Sequence, residues 1–200
     1  MGAILQSLGR TITAGVVLLI AIIVIVGAVS GTWIRGDHAW WAFVFRWLHI
    51  ASGVMWIGIL YYFNFVQMPS MPKIPDEQKP AIGKVIAPAA LFWFRWAALS
   101  TVVFGLLLAL MKGVNTYLLP ALMLQKGFTA IGIGVWLALV MAFNVWFIIW
   151  PNQKKALGLV QVEAAEKAKA ARTAMLFSRF NTLLSIPMLY CMVAQQNGGL

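Results

Sequence analysis

Arg46-Trp47-Leu48-His49-Ile50-Ala51-Ser52-Gly53-Val54-Met55-Trp56-Ile57-Gly58-Ile59-Leu60-Tyr61-Tyr62-Phe63-Asn64-Phe65-Val66-Gln67 is long and apolar enough to cross a membrane, yet it carries an arginine, a histidine, an asparagine and a glutamine. At about 100° per residue, Arg46, His49, Gly53, Trp56, Leu60, Asn64 and Gln67 fall within roughly 80° of one another, so the polar groups share one helix face. A charge near the centre of a bilayer costs about 2.5–3.5 kcal/mol on insertion scales, so this face must turn toward protein or a ligand. His49, deep in the run, is the residue that most needs a partner.

Working outward, the whole chain has the same character. Its 200 residues are 62% hydrophobic and 10% charged, with ten tryptophans, a composition that describes a multi-pass membrane protein and leaves no room for a separate soluble domain. A hydrocarbon core of roughly 30 Å takes about 20 residues of helix, which divides the sequence into five spans: about 12–32, 40–67, 89–111, 128–150 and 175–194. The expected fold is an all-α bundle forming one integral membrane domain over residues 1–200. A β-barrel would show short alternating segments in place of these continuous apolar runs. Span 1 follows Arg10 and is longer than the apolar core of a cleaved signal, so it is expected to remain as an anchor.

The net charge of +10 would suit nucleic acid if the cations were clustered, but they sort by side of the membrane. Arg10, Lys73, Lys79, Lys84, Lys154, Lys155, Lys167, Lys169 and Arg172 fall in segments on one side of a five-span chain, and Arg35, Lys112 and Lys126 on the other. The positive-inside rule then places the N-terminus in the cytoplasm and the C-terminus in the periplasm of a bacterial inner membrane. Nucleic acid is not an expected partner; the lipid bilayer is.

Spans 3 and 4 carry small residues every four positions: Ala97, Thr101, Gly105 and Ala109, then Ala130, Gly134, Ala138 and Ala142. Such stripes let helix backbones approach closely, which predicts a seam between these two spans. The prolines of Met68 to Pro80 predict an extended connection, and Pro151 is expected to close span 4. The Ala-, Lys- and Glu-rich segment from about 152 to 174 predicts a charged cytoplasmic helix that runs on into span 5, with Glu163 and Lys167 as an i,i+4 pair. Tyr117 to Leu124, between outer lysines, reads as a short interfacial piece.

Several chemistries drop out quickly. Cys191 is alone, which removes an internal disulfide, paired-cysteine metal sites and covalent haem attachment through Cys-x-x-Cys-His. No hydrolase elbow, phosphate loop or His-Glu-x-x-His motif occurs, and all five acidic residues lie outside the predicted spans, which weakens a proton-coupled transporter. Two histidines remain. His38 sits in an outer loop, whereas His49 lies about nine residues inside span 2, with Gly53 one turn further in and Trp56 on the same face. Glycine leaves room for a flat group against the backbone, imidazole is an axial ligand of haem b, and Arg46, one turn outward, offers a cation to a propionate. The alternative is a histidine hydrogen-bonded across the bundle. The two histidines are eleven residues apart, about 16 Å along a helix, and cannot sandwich one iron.

Four segments in order carry a family resemblance: residues 49–67 quoted above, Phe92-Trp93-Phe94-Arg95-Trp96, Asn144-Val145-Trp146-Phe147-Ile148-Ile149-Trp150-Pro151-Asn152-Gln153, and Ser178-Arg179-Phe180-Asn181-Thr182-Leu183-Leu184-Ser185-Ile186-Pro187-Met188. Together they resemble the membrane domain of the bacterial membrane-bound urate oxidase (urate hydroxylase) family over residues 40–194. A weaker similarity links the histidine-bearing helix to the membrane protoporphyrinogen oxidases, which bind haem b. Longer members of the urate oxidase family continue into a C-terminal cytochrome c domain, whose attachment motif this sequence lacks.

The same residues make sense without the family. Asn64, Gln67, Arg95, Asn144, Arg179 and Asn181 all fall toward the cytoplasmic ends of their spans, as a polar layer: an interhelical hydrogen-bond network or a site for an anionic or quinone-like ligand, with simple snorkelling as the alternative for Arg95. The resemblance implies a membrane redox or electron-transfer subunit binding haem b at His49, Arg46, Gly53 and Trp56, partnered by other membrane or periplasmic redox subunits or by further copies of itself. A non-catalytic accessory subunit, and an oxidase of a urate-like heterocycle or a porphyrinogen, are the other readings. The topology is directly testable: a cysteine at position 197 should react with an impermeant thiol reagent from the periplasmic side, and labelling only from the cytoplasm would invert the bundle.

Overall fold

In the computed structural model, which describes residues 2–199, every regular element is helical, and five helices are long and apolar enough to span a membrane. They are α1 (Leu8–Ser30), α2 (His38–Lys73), α3 (Lys79–Met111), α4 (Thr129–Ala156) and α5 (Ala164–Asn197). The chain divides into a unit of residues 1–41 and a unit of residues 42–200. In the first, α1 is apolar on all sides and exposed nearly everywhere, as a helix solvated by lipid can be. It stops where Gly31 adopts φ 69, and the returning chain lays the Trp33 ring on Gly27, the one buried residue of this helix.

In the second unit the core is built where α2, α3, α4 and α5 meet. Trp56, Leu60, Phe94, Met141, Val145 and Ile149 are almost fully buried there, and Phe63 meets Phe94 edge-to-face with ring centroids 5.9 Å apart. The buried stripe of α5, Ala170, Ala174, Ser178, Asn181, Ser185, Met188, Cys191 and Ala194, advances by three or four residues at each step and uses small or polar side chains.

Prolines follow widened turns here without ending the helix. Pro69, Pro88, Pro120 and Pro151 each stand two residues after a π-helical turn, at Tyr62–Gln67, Ile82–Ile86, Val114–Leu118 and Asn144–Ile149. Proline has no N–H to donate and its ring crowds the carbonyl four residues back, so widening the preceding turn relieves both problems. Pro151 therefore does not close α4, which runs on to Ala156, and α2 stays helical to Lys73 in place of the extended connection expected from its prolines. In the short bend that follows, the Lys79 ammonium hydrogen-bonds Asp76 at 2.6 Å, and that bond with its charge holds the Asp76 carboxyl below its ordinary range. Between α4 and α5 the chain bends at residues 157–163, so the charged segment is split between the two helices. Glu163 becomes the residue before α5, and Lys155 pairs with Glu166 at 2.5 Å across the break.

The small-residue stripes are used differently from the predicted seam. A Cβ on Gly134 would lie 3.2 Å from the Cβ of Cys191, so this glycine admits α5, whereas a Cβ on Gly105 would lie 2.9 Å from the His49 ring, so that glycine admits α2. At the C-terminal end of α5, Gln195 accepts from the Ile131 N–H and donates to the Gly127 carbonyl, which satisfies an otherwise free group in the first turn of α4. The Leu119–Leu122 turn folds onto α4, where Ala121 is buried over Gly132 and Trp136 donates to the Leu122 carbonyl at 3.0 Å. Overpacking a tight crossing costs about 1–3 kcal/mol. Gly132→Ala and Gly134→Leu should each lower the thermal unfolding midpoint in detergent by several degrees, and unchanged midpoints in both would refute these crossings.

Candidate functional site

His49 sits where α2 crosses α3. Its Nδ1 lies 2.7 Å from the Thr101 carbonyl, and a carbonyl can only accept, so Nδ1 carries the proton and the lone pair is left on Nε2. The Nδ1–Cε1 edge of the ring rests on Gly105, while Nε2 makes no hydrogen bond among the described residues and is not sealed from the surface. Thr101 turns its own hydroxyl back to the Ala97 carbonyl at 2.7 Å, leaving its backbone oxygen for the imidazole. Pairings of 49 with 105 and 53 with 101 show that α2 and α3 run antiparallel, which brings Arg46 toward the C-terminal end of α3 near Lys112 and Tyr117. The Lys112 ammonium lies 4.2 Å from the Tyr117 ring centroid. Burial lowers the Lys112 pKa and nearby Arg46 lowers it further; burial raises that of Tyr117, and Arg46 partly opposes this. Arg46 itself buries its Nε without an acceptor.

These residues meet part of what a haem requires. A backbone carbonyl holding one ring nitrogen while the other keeps its lone pair is the arrangement found behind metal-ligating histidines. Of the other residues expected at a haem, Gly53 faces the Thr101 methyl group, 3.8 Å from where a Cβ would stand, and Trp56 is 1% exposed within the core. His49 fits an iron ligand and Arg46 a propionate partner, while the Gly53 side of the ring faces α3.

The expected polar layer resolves into three separate arrangements. Asn144 and Asn181, 4% and 0% exposed, are brought together: Asn144 Nδ2 donates to Asn181 Oδ1 at 2.8 Å, and Asn181 Nδ2 donates to the Met141 carbonyl at 3.0 Å, just before α4 widens into its π-turn. Asn64, in the π-turn of α2, donates to the Leu60 carbonyl and to Ser178 of α5, both at 2.9 Å, and one turn away Tyr61 meets Ser185 at 3.0 Å. Arg95 stands apart, stacked on Trp150 at 3.4 Å from ring centroid to guanidinium and flanked by Trp146, with Nε and Nη1 buried and unbonded. Gln67 has a buried side-chain oxygen without a donor, and Arg179 is exposed on the far side of α5 from the amide pair. Thr101, Ser178 and Ser185 were not singled out as polar partners in the sequence, although their positions on the small-residue stripes of α3 and α5 mark them.

Residues 103–198 match the urate oxidase N-terminal family. The match covers the end of α3 and all of α4 and α5, and so includes Asn144, Arg179 and Asn181 but neither His49 nor Arg46. It supports the resemblance read from the four segments above. No curated protein and no solved structure matches the chain.

In the urate oxidase N-terminal match, the amide pair is the most enclosed polar feature, and its role is open to measurement. Removing one member of a buried pair strands its partner at a cost of about 1–3 kcal/mol. Asn181→Leu should therefore destabilise the bundle by about that amount, and Asn144→Leu/Asn181→Leu should recover part of the loss. A double-mutant cycle with no coupling would show that the pair does not act as a unit.

Proposed function

We propose that this chain is the membrane part of a urate-oxidase-like redox system and that it carries electrons through haem b ligated at His49. The observation that carries this reading is the Nδ1–Thr101 hydrogen bond, which leaves Nε2 as a free lone pair in an apolar span, supported by the urate oxidase N-terminal match over residues 103–198. Haem supplies one-electron chemistry when bound; the chain supplies the ligand, fixes its tautomer and offers Arg46 to an acidic substituent. Because α3 closes the Gly53 side of His49, the group is approached from the open side of the imidazole. A periplasmic cytochrome, a partner enzyme, a second copy of the chain or a quinone are the partners this reading calls for. A non-catalytic accessory subunit that docked through small-residue stripes would need them free, and Gly105 and Gly134 already face His49 and Cys191 within the chain.

Purified protein in mild detergent should show a Soret band, and His49→Gln should remove or shift it while leaving the helical content and unfolding midpoint nearly unchanged, since glutamine keeps a hydrogen bond but ligates iron poorly. A wild-type protein without the band, or a variant with an unaltered one, would overturn the proposal. Turnover of urate or a porphyrinogen by the wild type but not the variant would extend the reading from electron carrier to oxidase.

A further inference from the structure

We infer that the hollow between α2 and α5 around Arg179 is a binding site for an acidic phospholipid with a hydroxyl-bearing headgroup. The hollow is about 450 Å³ and is lined by Asn64, Phe65, Arg179, Thr182, Leu183 and Ile186. Its walls are apolar and face outward: Phe65 is 66% exposed, Leu183 62% and Ile186 67%. A face of that kind in a membrane bundle is covered by acyl chains.

The polar groups in this setting are uncompensated. Arg179 lies four residues inside the apolar run that begins at about 175, roughly 6 Å along the axis. It makes no hydrogen bond or ion pair among the described residues, and the acidic residues of its own helix region, Glu163 and Glu166, are more than three turns away. A guanidinium so placed recruits an anion, and phosphate matches its fork of donors. Asn64 has spent both amide hydrogens on Leu60 and Ser178, which fixes its orientation and leaves Oδ1 buried without a donor. Thr182 has spent its hydroxyl proton on the Ser178 carbonyl at 3.1 Å and keeps only acceptor capacity. The site thus offers one cation and the Thr182 acceptor, with the sealed Asn64 Oδ1 behind them, which complements a headgroup carrying a phosphate and free hydroxyls. A neutral quinone leaves the cation unpaired, and a choline headgroup brings a second cation and no donor. The π-turn at Tyr62–Gln67 contributes Asn64 and Phe65 to the hollow, and its proline, Pro69, sets that turn.

This inference does not rest on the haem reading, because it uses no residue of the His49 region. Native mass spectrometry of the delipidated full chain tests it, titrating phosphatidylglycerol, phosphatidylcholine, a short-chain ubiquinone and inorganic phosphate. One phosphatidylglycerol per chain should be retained at least tenfold more tightly than phosphatidylcholine, and Arg179→Gln should abolish that preference. Arg172→Gln, which removes an exposed cation from the same helix outside the hollow, should leave it intact. The Arg179 side chain is exposed, so its replacement should fold normally, and an unchanged unfolding midpoint checks this. Equal retention of the two lipids, an unaffected Arg179→Gln protein, displacement of the lipid by free phosphate, or stoichiometric ubiquinone binding that excludes the lipid would each overturn the assignment.

Discussion

The second unit depends on one constraint, that polar groups inside a membrane bundle must find partners within the bundle itself. Asn181 shows the solution in its most complete form. Its amide accepts from Asn144 and donates to the Met141 carbonyl, so a single side chain on α5 grips both a side chain and the backbone of α4 at the point where that helix widens. Asn64 repeats the arrangement from α2, and His49 does so toward α3, in each case joining a side chain to a neighbouring helix. Apolar packing alone gives four such helices little reason to choose one register over another, because lipid is as good a solvent for leucine as another helix. These directed bonds select the register.

The prolines give those bonds their geometry. A wide turn rotates the residues beyond it relative to a regular helix, so side chains before and after it can serve different neighbours. On α2, His49 above the turn engages α3 while Asn64 within it engages α5. What reads in the sequence as one polar face is therefore divided between two partners.

How much of this was legible follows from which information is local. Span number, helical class and the importance of the 46–67 run are set by hydrophobicity and length, properties of contiguous residues, and α1 to α5 follow them. The wide turns are not legible, because proline in a sequence reads as a terminator; in a membrane helix the lost hydrogen bond is absorbed by a wider turn, as Pro151 shows by leaving α4 intact to Ala156. The partners of the small-residue stripes were not legible either. Spacing shows that Gly105 and Gly134 admit something close, but whether it is each other's helix or the ring of His49 and the backbone of α5 is a matter of three-dimensional arrangement. The candidate site was half legible for the same reason: His49, Asn144 and Asn181 stand out by rarity, whereas the Thr101 carbonyl, which decides the state of the imidazole, is a backbone group that no sequence displays.

Gly105 carries a consequence of that kind. By having no side chain it lets the imidazole lie flat against α3 within reach of the Thr101 oxygen, and that oxygen decides which ring nitrogen is basic. An added methyl group would press on Nδ1 and Cε1, the edge that holds the proton, and so act directly on the contact with the Thr101 oxygen. The acid–base identity of the chain's one deep histidine is thus governed from another helix by a residue that contributes no functional group at all.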